Sequence, residues 1–528
     1  MKLTDILKEG FNPSEWENKG YILPKFDIAE VTRKTHDEPT WVHFGGGNIF
    51  RAFPASILND ALNTGKYDRG VIVAETFDYE VIDKAYAPYG NLSLAVSLCS
   101  NGSIEKKVIA SVTEALKADP QFADWDRLKE IFRAPSLQMI SFTITEKGYT
   151  FNEADLQRGL QPVFAMGKVC ALLLERFNAG ALPLTVQSMD NCSHNGDKVK
   201  AGIMAYAERW FSDGLVPAAF IAYLKDQTKI TFPWSMIDKI TPRPHSQVQA
   251  MLAQDGFEDN NYIETEKHTF TAPFVNAEEV QYLVIEDHYT NGRPPLDLGG
   301  ALYTTREIVD QVETMKVTTC LNPLHTAMSI YGVMLDYTLI SAEMADEDLR
   351  PFIQKIGYME AMPVVTDPGV LNPYEFIGDV INKRLPNPFM PDAPQRISMD
   401  TSQKLPIRFG ETLRKYHERG LDKKNLILIP LTLAGYARFL KGIKDNGEAF
   451  TPSPDPLLDE LQAIVAPLEL GKPDQDWSCL HDLYTRKDVF GVDLYEIGLG
   501  EQIEGMVKEL YAGPGAVRAT LHKYVQAR

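Results

Sequence analysis

The stretch from Thr40 to Glu75 constrains the fold more than any other part of the chain. A short run suited to a buried strand, Thr40–Phe44, leads straight into Gly45, Gly46 and Gly47 and then into an apolar, helix-like stretch, AFPASILNDAL. A second apolar run, GVIVAE, follows at Gly70–Glu75. Strand, glycine turn, helix and strand make a βαβ unit, whose crossover forces the two strands to run parallel. More buried-looking strands are read at Lys107–Ala110, Gln138–Thr145 and Leu184–Ser188. The first half is therefore expected to be an α/β domain with a doubly wound parallel sheet.

A Pro/Gly-rich stretch, GRPPLDLGG at Gly292–Gly300, punctuates the chain where a domain boundary is expected. Residues 1–300 form the predicted first domain, opened by a polar leader over 1–38 with a short helix at its start. Residues 301–528 form the second. There, Ile308, Val312 and Met315, then Leu324, Met328 and Tyr331, fall at helical spacing, and segments 341–363, 407–420, 427–442, 454–468 and 499–511 also read as helices. The second domain is expected to be mainly α-helical.

Charge and cysteine usage narrow the function classes. A net charge of -19 repels phosphate backbones and anionic membranes, so neither nucleic acid nor lipid is an expected partner. An anionic substrate would need a local cluster of Arg or Lys. Cys99, Cys170, Cys192, Cys320 and Cys479 are scattered without a CxxC pair, which argues against a disulfide framework and a zinc ribbon. A zinc alcohol dehydrogenase would need Cys and His ligands at an open site, a pattern this sequence lacks, so no metal is expected. The first residues lack the basic-then-apolar layout of a signal peptide, and no apolar run reaches the ~18 residues of a membrane span. A cytoplasmic protein is expected.

Gly45 and Gly47 make a GxG turn directly after a strand, where bare backbone can approach a pyrophosphate at a helix N-terminus. Phe50 stands where a third glycine would complete GxGxxG, and close packing is an alternative reason for the glycines. Glu75, at the end of the second strand, is placed to accept from both adenosine ribose hydroxyls and to repel a 2′-phosphate, favouring NAD over NADP. Asp78 is the nearby alternative, and both acids could instead cap the helix near Tyr79.

Two polar clusters remain. SMDNCSHNG puts Asn191 just past a strand, where open α/β sheets bind ligands. ETMKVTTCLNPLH holds Glu313, Lys316, Asn322 and His325. Oxidising a secondary alcohol needs a base for the hydroxyl proton, donors for the oxygen and a hydride acceptor. Lysine can supply the base, and asparagine amides can supply the donors. Structural alternatives exist for each: a Glu313–Lys316 surface pair, Asn322 as N-cap before Pro323, His325 as a core histidine, and turn chemistry for Asn195-Gly196.

Taken together, FGGGNIFRAF at 44–53, TITEKGY at 143–149, SMDNCSHNG at 188–196, SMIDKITP at 235–242 and VIEDHYTNGRP at 284–294 resemble the polyol-specific long-chain dehydrogenase (mannitol dehydrogenase) family. The resemblance runs from about residue 40 to beyond residue 410. It implies an N-terminal Rossmann-type domain, a mainly helical C-terminal domain and a site in the cleft between them. It implies that Lys316 is the general base, that Asn191 and Asn322 hold the reacting oxygen, that His325 binds substrate and that Glu313 gates proton passage. Arg396 and Lys404 match a pair of cationic substrate contacts, with Arg408 a third candidate. Gly45, Gly47, Asn48, Ile49, Phe50, Arg51, Glu75, Thr145, Asn191 and Asp238 would contact NAD. One departure stands out: Val317–Leu321 places five residues between lysine and asparagine, where the family usually has four.

The resemblance implies metal-independent, NAD-dependent interconversion of a keto sugar acid and its aldonate, fructuronate and mannonate first. The fructose–mannitol pair or tagaturonate are the alternatives, and a non-catalytic NAD-binding carbohydrate sensor is the alternative of another class. The expected partner is a small sugar or sugar acid, bound by a monomer or small homo-oligomer.

Overall fold

Six parallel strands organise the first half of the computed structural model, which describes residues 1–527. They are β1 (Trp41–Phe44), β2 (Val71–Glu75), β3 (Val112–Lys117), β4 (Met139–Phe142), β5 (Leu184–Ser188) and β6 (Ile230–Thr231). Their order across the sheet is β3-β2-β1-β4-β5-β6, all pairs parallel. This is the doubly wound arrangement with its switch point between β1 and β4, the crevice where such sheets bind ligands.

The side-chain period of two decides the packing. Val42, Phe44, Ile140 and Phe142 enter one core with helices Asp124–Arg133, Ala165–Asn178 and Asn195–Ser212. Trp41, Val71, Val73 and Met139 enter the other, with helix Pro54–Asn63. Both faces are covered, as a parallel sheet requires. Arg176 staples one edge of the first core: its guanidinium donates to the carbonyls of Phe132, Ala134, Leu137, Leu182 and Pro183. All five donors are thereby used, which is how a buried charge is tolerated.

Three expectations change here. The strand read at Lys107–Ala110 overlaps Ile104–Ile109, which belongs to a separate four-stranded mixed sheet rather than the parallel one. Its outward neighbour in sequence, β3, takes the place beside β2. The segment 1–38 is no appended polar leader, because Trp16 and Tyr21 are buried and Tyr21–Ile22 pairs with Lys106–Lys107. Asn195-Gly196 opens a helix rather than forming a turn. The Asn195 side chain is a buried staple that donates to the Asp190 and Ser235 carbonyls.

The chain divides into a first unit of Met1–Cys99 and Ser103–Asp310, and a second of Ser100–Gly102 and the residues from Gln311 onward. The second is helical. Leu428–Leu440 is buried along its whole length, and Glu360 caps it by accepting from the amides of Ile427, Leu428 and Ile429 at 2.7–2.9 Å. Among the described residues, four π turns interrupt the helices of this unit, at Lys316–Cys320, Ile356–Ala361, Val380–Arg384 and Pro406–Gly410. Pro406 shows one cause: it cannot donate the amide that an α-helix would need there. Among the described residues, no helix is long and apolar enough to cross a membrane.

Candidate functional site

In the first unit, the glycine turn is built by three different constraints. Gly45 has φ +105°, and a Cβ there would lie 2.4 Å from the Thr143 carbonyl oxygen. The Gly46 amide donates to Glu75 Oε2 at 2.8 Å, while its carbonyl accepts from Tyr86 Oη at 2.8 Å. Gly47 has nothing within 4 Å of where a Cβ would stand. Open space over that residue, next to the start of α1 (Asn48–Ala52), fits the close backbone approach a pyrophosphate makes.

The residues after the turn divide their work. Phe50 is fully buried and stacks on His43 with ring centroids 4.1 Å apart. His43 in turn bonds Ser141 Oγ at 2.6 Å and Thr143 Oγ1 at 2.9 Å, and burial holds its imidazole well below the usual range, so it is neutral. Arg51 is 1% exposed and donates to the Ala272 carbonyl and the Thr271 hydroxyl. Asn48 accepts from Arg51 and Thr271 and donates to the Phe270 carbonyl. Ile49 is half-buried against the second core. These side chains shape the turn and are engaged with the protein itself, while the backbone at Gly47 faces open space.

Glu75 is 8% exposed and accepts from the amides of Gly46, Phe77 and Asp78. A carboxylate has about four acceptor positions, so about one remains for a ribose hydroxyl rather than the two expected from the sequence. Asp78 is committed elsewhere: its Oδ2 accepts from the hydroxyls of Thr265 and Thr269.

Across the switch point, Asp190 links two of the sequence motifs. It accepts from the amides of Ile144 and Thr145 at 2.9 and 3.2 Å and from Tyr149 Oη at 2.5 Å. Thr145 is held at φ +66°, a left-handed conformation costly for a β-branched residue. Burial pushes the Asp190 carboxyl up. Asn191 follows directly and is exposed, and Asp238 ends the strand Ser235–Asp238 at 5% exposure.

In the second unit, Lys316 is 5% exposed, so it is not the outer member of a surface pair, while Glu313 is half-buried. Lys316 closes α2 (Arg306–Met315) into a π turn, its carbonyl accepting from the Leu321 amide at 3.1 Å. That turn takes up the five residues between Lys316 and Asn322 without breaking the helical path into α3 (Asn322–Met334). Leu321, not Asn322, is the N-cap of α3, and it makes no side-chain cap bond. Among the described residues, the Asn322 side-chain amide has no partner.

His325 is 15% exposed at its side chain, yet its Nε2 is covered and unbonded. Burial lowers its pKa to about 4, with Arg408, Arg396 and Arg384 pushing the same way and Asp392 opposing them. The ring is neutral at physiological pH. Arg408 donates to Thr326 Oγ1 at 2.5 Å and to the Asn322 carbonyl at 3.4 Å, and burial brings its guanidinium down to about 10. Arg396 and Lys404 sit on short helices, Pro394–Ile397 and Thr401–Leu405, separated by Asp400 at φ +51°. Arg396 is exposed and pairs with Asp392, whereas Lys404 donates to the carbonyls of Ile397 and Met399. Asp392 Oδ2 also lies 3.7 Å from His325 Nε2.

The Rossmann-domain model of mannitol dehydrogenase matches residues 39–298, and the mannitol dehydrogenase C-terminal domain model matches residues 308–510. The chain belongs to the mannitol dehydrogenase family. Within that family it is 50% identical over 524 residues, 97% of each chain, to a D-mannonate oxidoreductase of Thermotoga maritima. It is 27% identical to a polyol:NADP oxidoreductase of Gluconobacter oxydans over 84% of this chain and 87% of that one. A crystal structure of D-sorbitol dehydrogenase in substrate-free form shares the fold with a TM-score of 0.77 at 23% identity, covering 95% of this chain and 97% of its own. Pseudomonas fluorescens mannitol 2-dehydrogenase, in ternary complex with NAD and D-mannitol, shares it at 0.65 and 22% identity, covering 98% and 99%.

Two acids of this mannitol dehydrogenase family member escaped the reading of its sequence. Asp190 lay inside SMDNCSHNG, one residue before Asn191, and an acid just past an apolar strand was the available signal. Asp392 had none, because its role depends on the return of a distant loop to His325. Among the described residues, no group of three or more His, Cys, Asp or Glu could hold a metal ion.

Proposed function

We propose that the protein is an NAD(H)-dependent oxidoreductase that interconverts fructuronate and mannonate, with residues 1–300 binding the cofactor and supplying Asn191, and residues 301–528 supplying the other catalytic and substrate groups. The observation that carries this reading is the buried Lys316 at the head of a π turn, followed by an unpartnered Asn322 amide and a neutral His325. A lysine ammonium shielded from water can give a proton to a carbonyl oxygen during reduction and take it back during oxidation. Asn322 and Asn191 donate to that oxygen without competing for its proton, and Glu313 passes the proton on. NAD, when bound, supplies the hydride donor or acceptor. Gly47, the α1 amides, Thr145, Asn191, Asp238 and the remaining acceptor position on Glu75 are the residues that would hold it.

Arg396, Lys404 and Arg408 support a sugar acid, since a carboxylate needs local cations in a chain of net charge -19. The 50% identity to a D-mannonate oxidoreductase supports the same choice. One observation favours a neutral polyol instead: Arg396 is already paired with Asp392, and Lys404 with two carbonyls. The scattered cysteines, all free, support a cytoplasmic location, and we take the enzyme to act as a monomer or small homo-oligomer.

The deciding experiment follows NADH oxidation with fructuronate, tagaturonate and fructose. Fructuronate should exceed fructose by at least about a hundredfold in kcat/KM, roughly 2.7 kcal/mol of transition-state binding. A preference for fructose would make this a mannitol 2-dehydrogenase.

A further inference from the structure

A hairpin outside the parallel sheet grips both cofactor-facing segments of the first unit. Its strands are Ile263–Glu264 and Phe270–Thr271, and its turn closes with the His268 amide donating to the Thr265 carbonyl and His268 at φ +60°. At one end it meets α1, through Arg51 and Asn48 bonded to Thr271, Ala272 and Phe270. At the other it meets the loop after Glu75. Thr265 and Thr269 donate to Asp78, the Glu266 amide donates to Glu80 Oε2 at 2.9 Å, and Lys267 Nζ donates to the Phe77 carbonyl.

Phe77 is the feature this arrangement leaves unexplained. It is 66% exposed, more than any other large hydrophobic side chain described. Yet its backbone is fixed on both sides, since its amide donates to Glu75 Oε1 at 2.9 Å and its carbonyl accepts from Lys267. The Lys267 ammonium also lies 4.2 Å from the ring centroid, against the ring. A second lysine, Lys168, is fully buried and holds the neighbouring Thr76 carbonyl at 2.9 Å. Three attachments thus hold an aromatic ring rigidly in solvent, two residues past the acid that faces the adenosine ribose. Folding gains little from a ring kept there. A flat π-face braced by a cation is, by contrast, what a nucleobase stacks on.

We propose that Phe77 is the adenine-stacking residue of the cofactor site, and that Lys267, carried on the hairpin, is the positioning residue that braces it. This rests on the reading of the site as a dinucleotide site. It adds a specific base contact that neither the glycine turn nor Glu75 supplies.

The test is direct binding, by calorimetry, of ADP-ribose and of NADH to the full chain, without turnover. Phe77→Ala should weaken both ligands by about tenfold, the lower part of the range for loss of one base–aromatic stack, and Phe77→Tyr should restore affinity to within about twofold. Lys267→Ala should weaken ADP-ribose by about threefold, with Lys267→Arg restoring it, because only a cation on the ring is needed. Thermal melts should be unchanged in all four variants, since both side chains are exposed. Wild-type affinity for ADP-ribose with no loss in Phe77→Ala overturns the proposal alone. Failure of the wild type to bind NADH, NADPH or ADP-ribose overturns the dinucleotide reading itself.

Discussion

At Gly45 the backbone takes a path that favours glycine and leaves no room for a side chain, while two residues on, Gly47 faces open space. At Lys316–Asn322 ordinary residues widen a helix into a π turn, and the site is defined by where side chains then point. The first device is written in residue types. The second is written in hydrogen-bond ring size, which any residue can adopt and which π turns at functional sites commonly exploit. The contrast extends through the second unit, where the π turn Pro406–Gly410 carries Arg408 and Ile356–Ala361 carries the capping Glu360. In the proposed reading, cofactor binding would rest on the glycine turn and the chemistry on side chains carried by irregular helices.

The largest expected effect breaks the side-chain half. Lys316→Ala should lower turnover by about a hundredfold or more, the usual size of general acid–base catalysis, while NADH affinity measured by fluorescence stays put. Near-normal turnover would mean that burial of this lysine serves packing only.

The backbone half is broken by two alanines with opposite signatures. Gly47→Ala meets open space, so the protein should melt normally but bind NADH about tenfold more weakly, because a methyl group now stands where the pyrophosphate approaches. Gly45→Ala should instead cost about 1–3 kcal/mol of stability in urea titration, from its left-handed φ and the collision with Thr143. If both variants merely unfold, the turn is structural alone.

A smaller effect sharpens the comparison at Glu75, whose side chain holds the Gly46 amide of the turn. Glu75→Lys should narrow the NADH over NADPH preference, by about fivefold in kcat/KM. The modest size follows because most of its acceptor positions already serve amides. The same change should lower stability by about 1–3 kcal/mol, since three N–H groups lose their acceptor. A wild-type preference for NADPH would sink the cofactor assignment.

A pH-dependent effect comes from one buried histidine in each unit. His43 is held well below its ordinary pKa and His325 near about 4, so both stay neutral when folded. Between about pH 6.5 and 4 the unfolded chain binds protons that the folded chain declines, so stability falls as pH drops through that window. Each histidine contributes at most about 1.4 kcal/mol per pH unit. Urea midpoints at pH 7 and 5 measure the slope, and His325→Gln should flatten it by that histidine's share. An unchanged slope would show that the ring is not held neutral by the fold.

Much of this was legible beforehand. β1, β2 and β5 were read nearly to the residue because their apolar runs are bounded by glycine, proline or polar turns. The glycine turn, the family and the polar cluster around Lys316 were legible for the same reason: each is a local pattern. β3 and the two-residue β6 were not, as VTEALK alternates too weakly and IT is too short to stand out. Lys107–Ala110 misled because an apolar run reports burial but not which sheet receives it.

The sequence by itself determined the family, the doubly wound first half and the helical second half, and it supplied the candidate site residues. Tertiary structure alone decided what those residues touch. Thr265 reaches Asp78 across 187 positions, Asp392 pairs with Arg396 and faces His325, and Glu75 spends its oxygens on the turn it stands beside. The physical reason is that a backbone preference is set by a residue and its neighbours. The partner of a buried polar group is instead set by whichever distant segment is folded against it, and that group must find a partner or pay its desolvation in full.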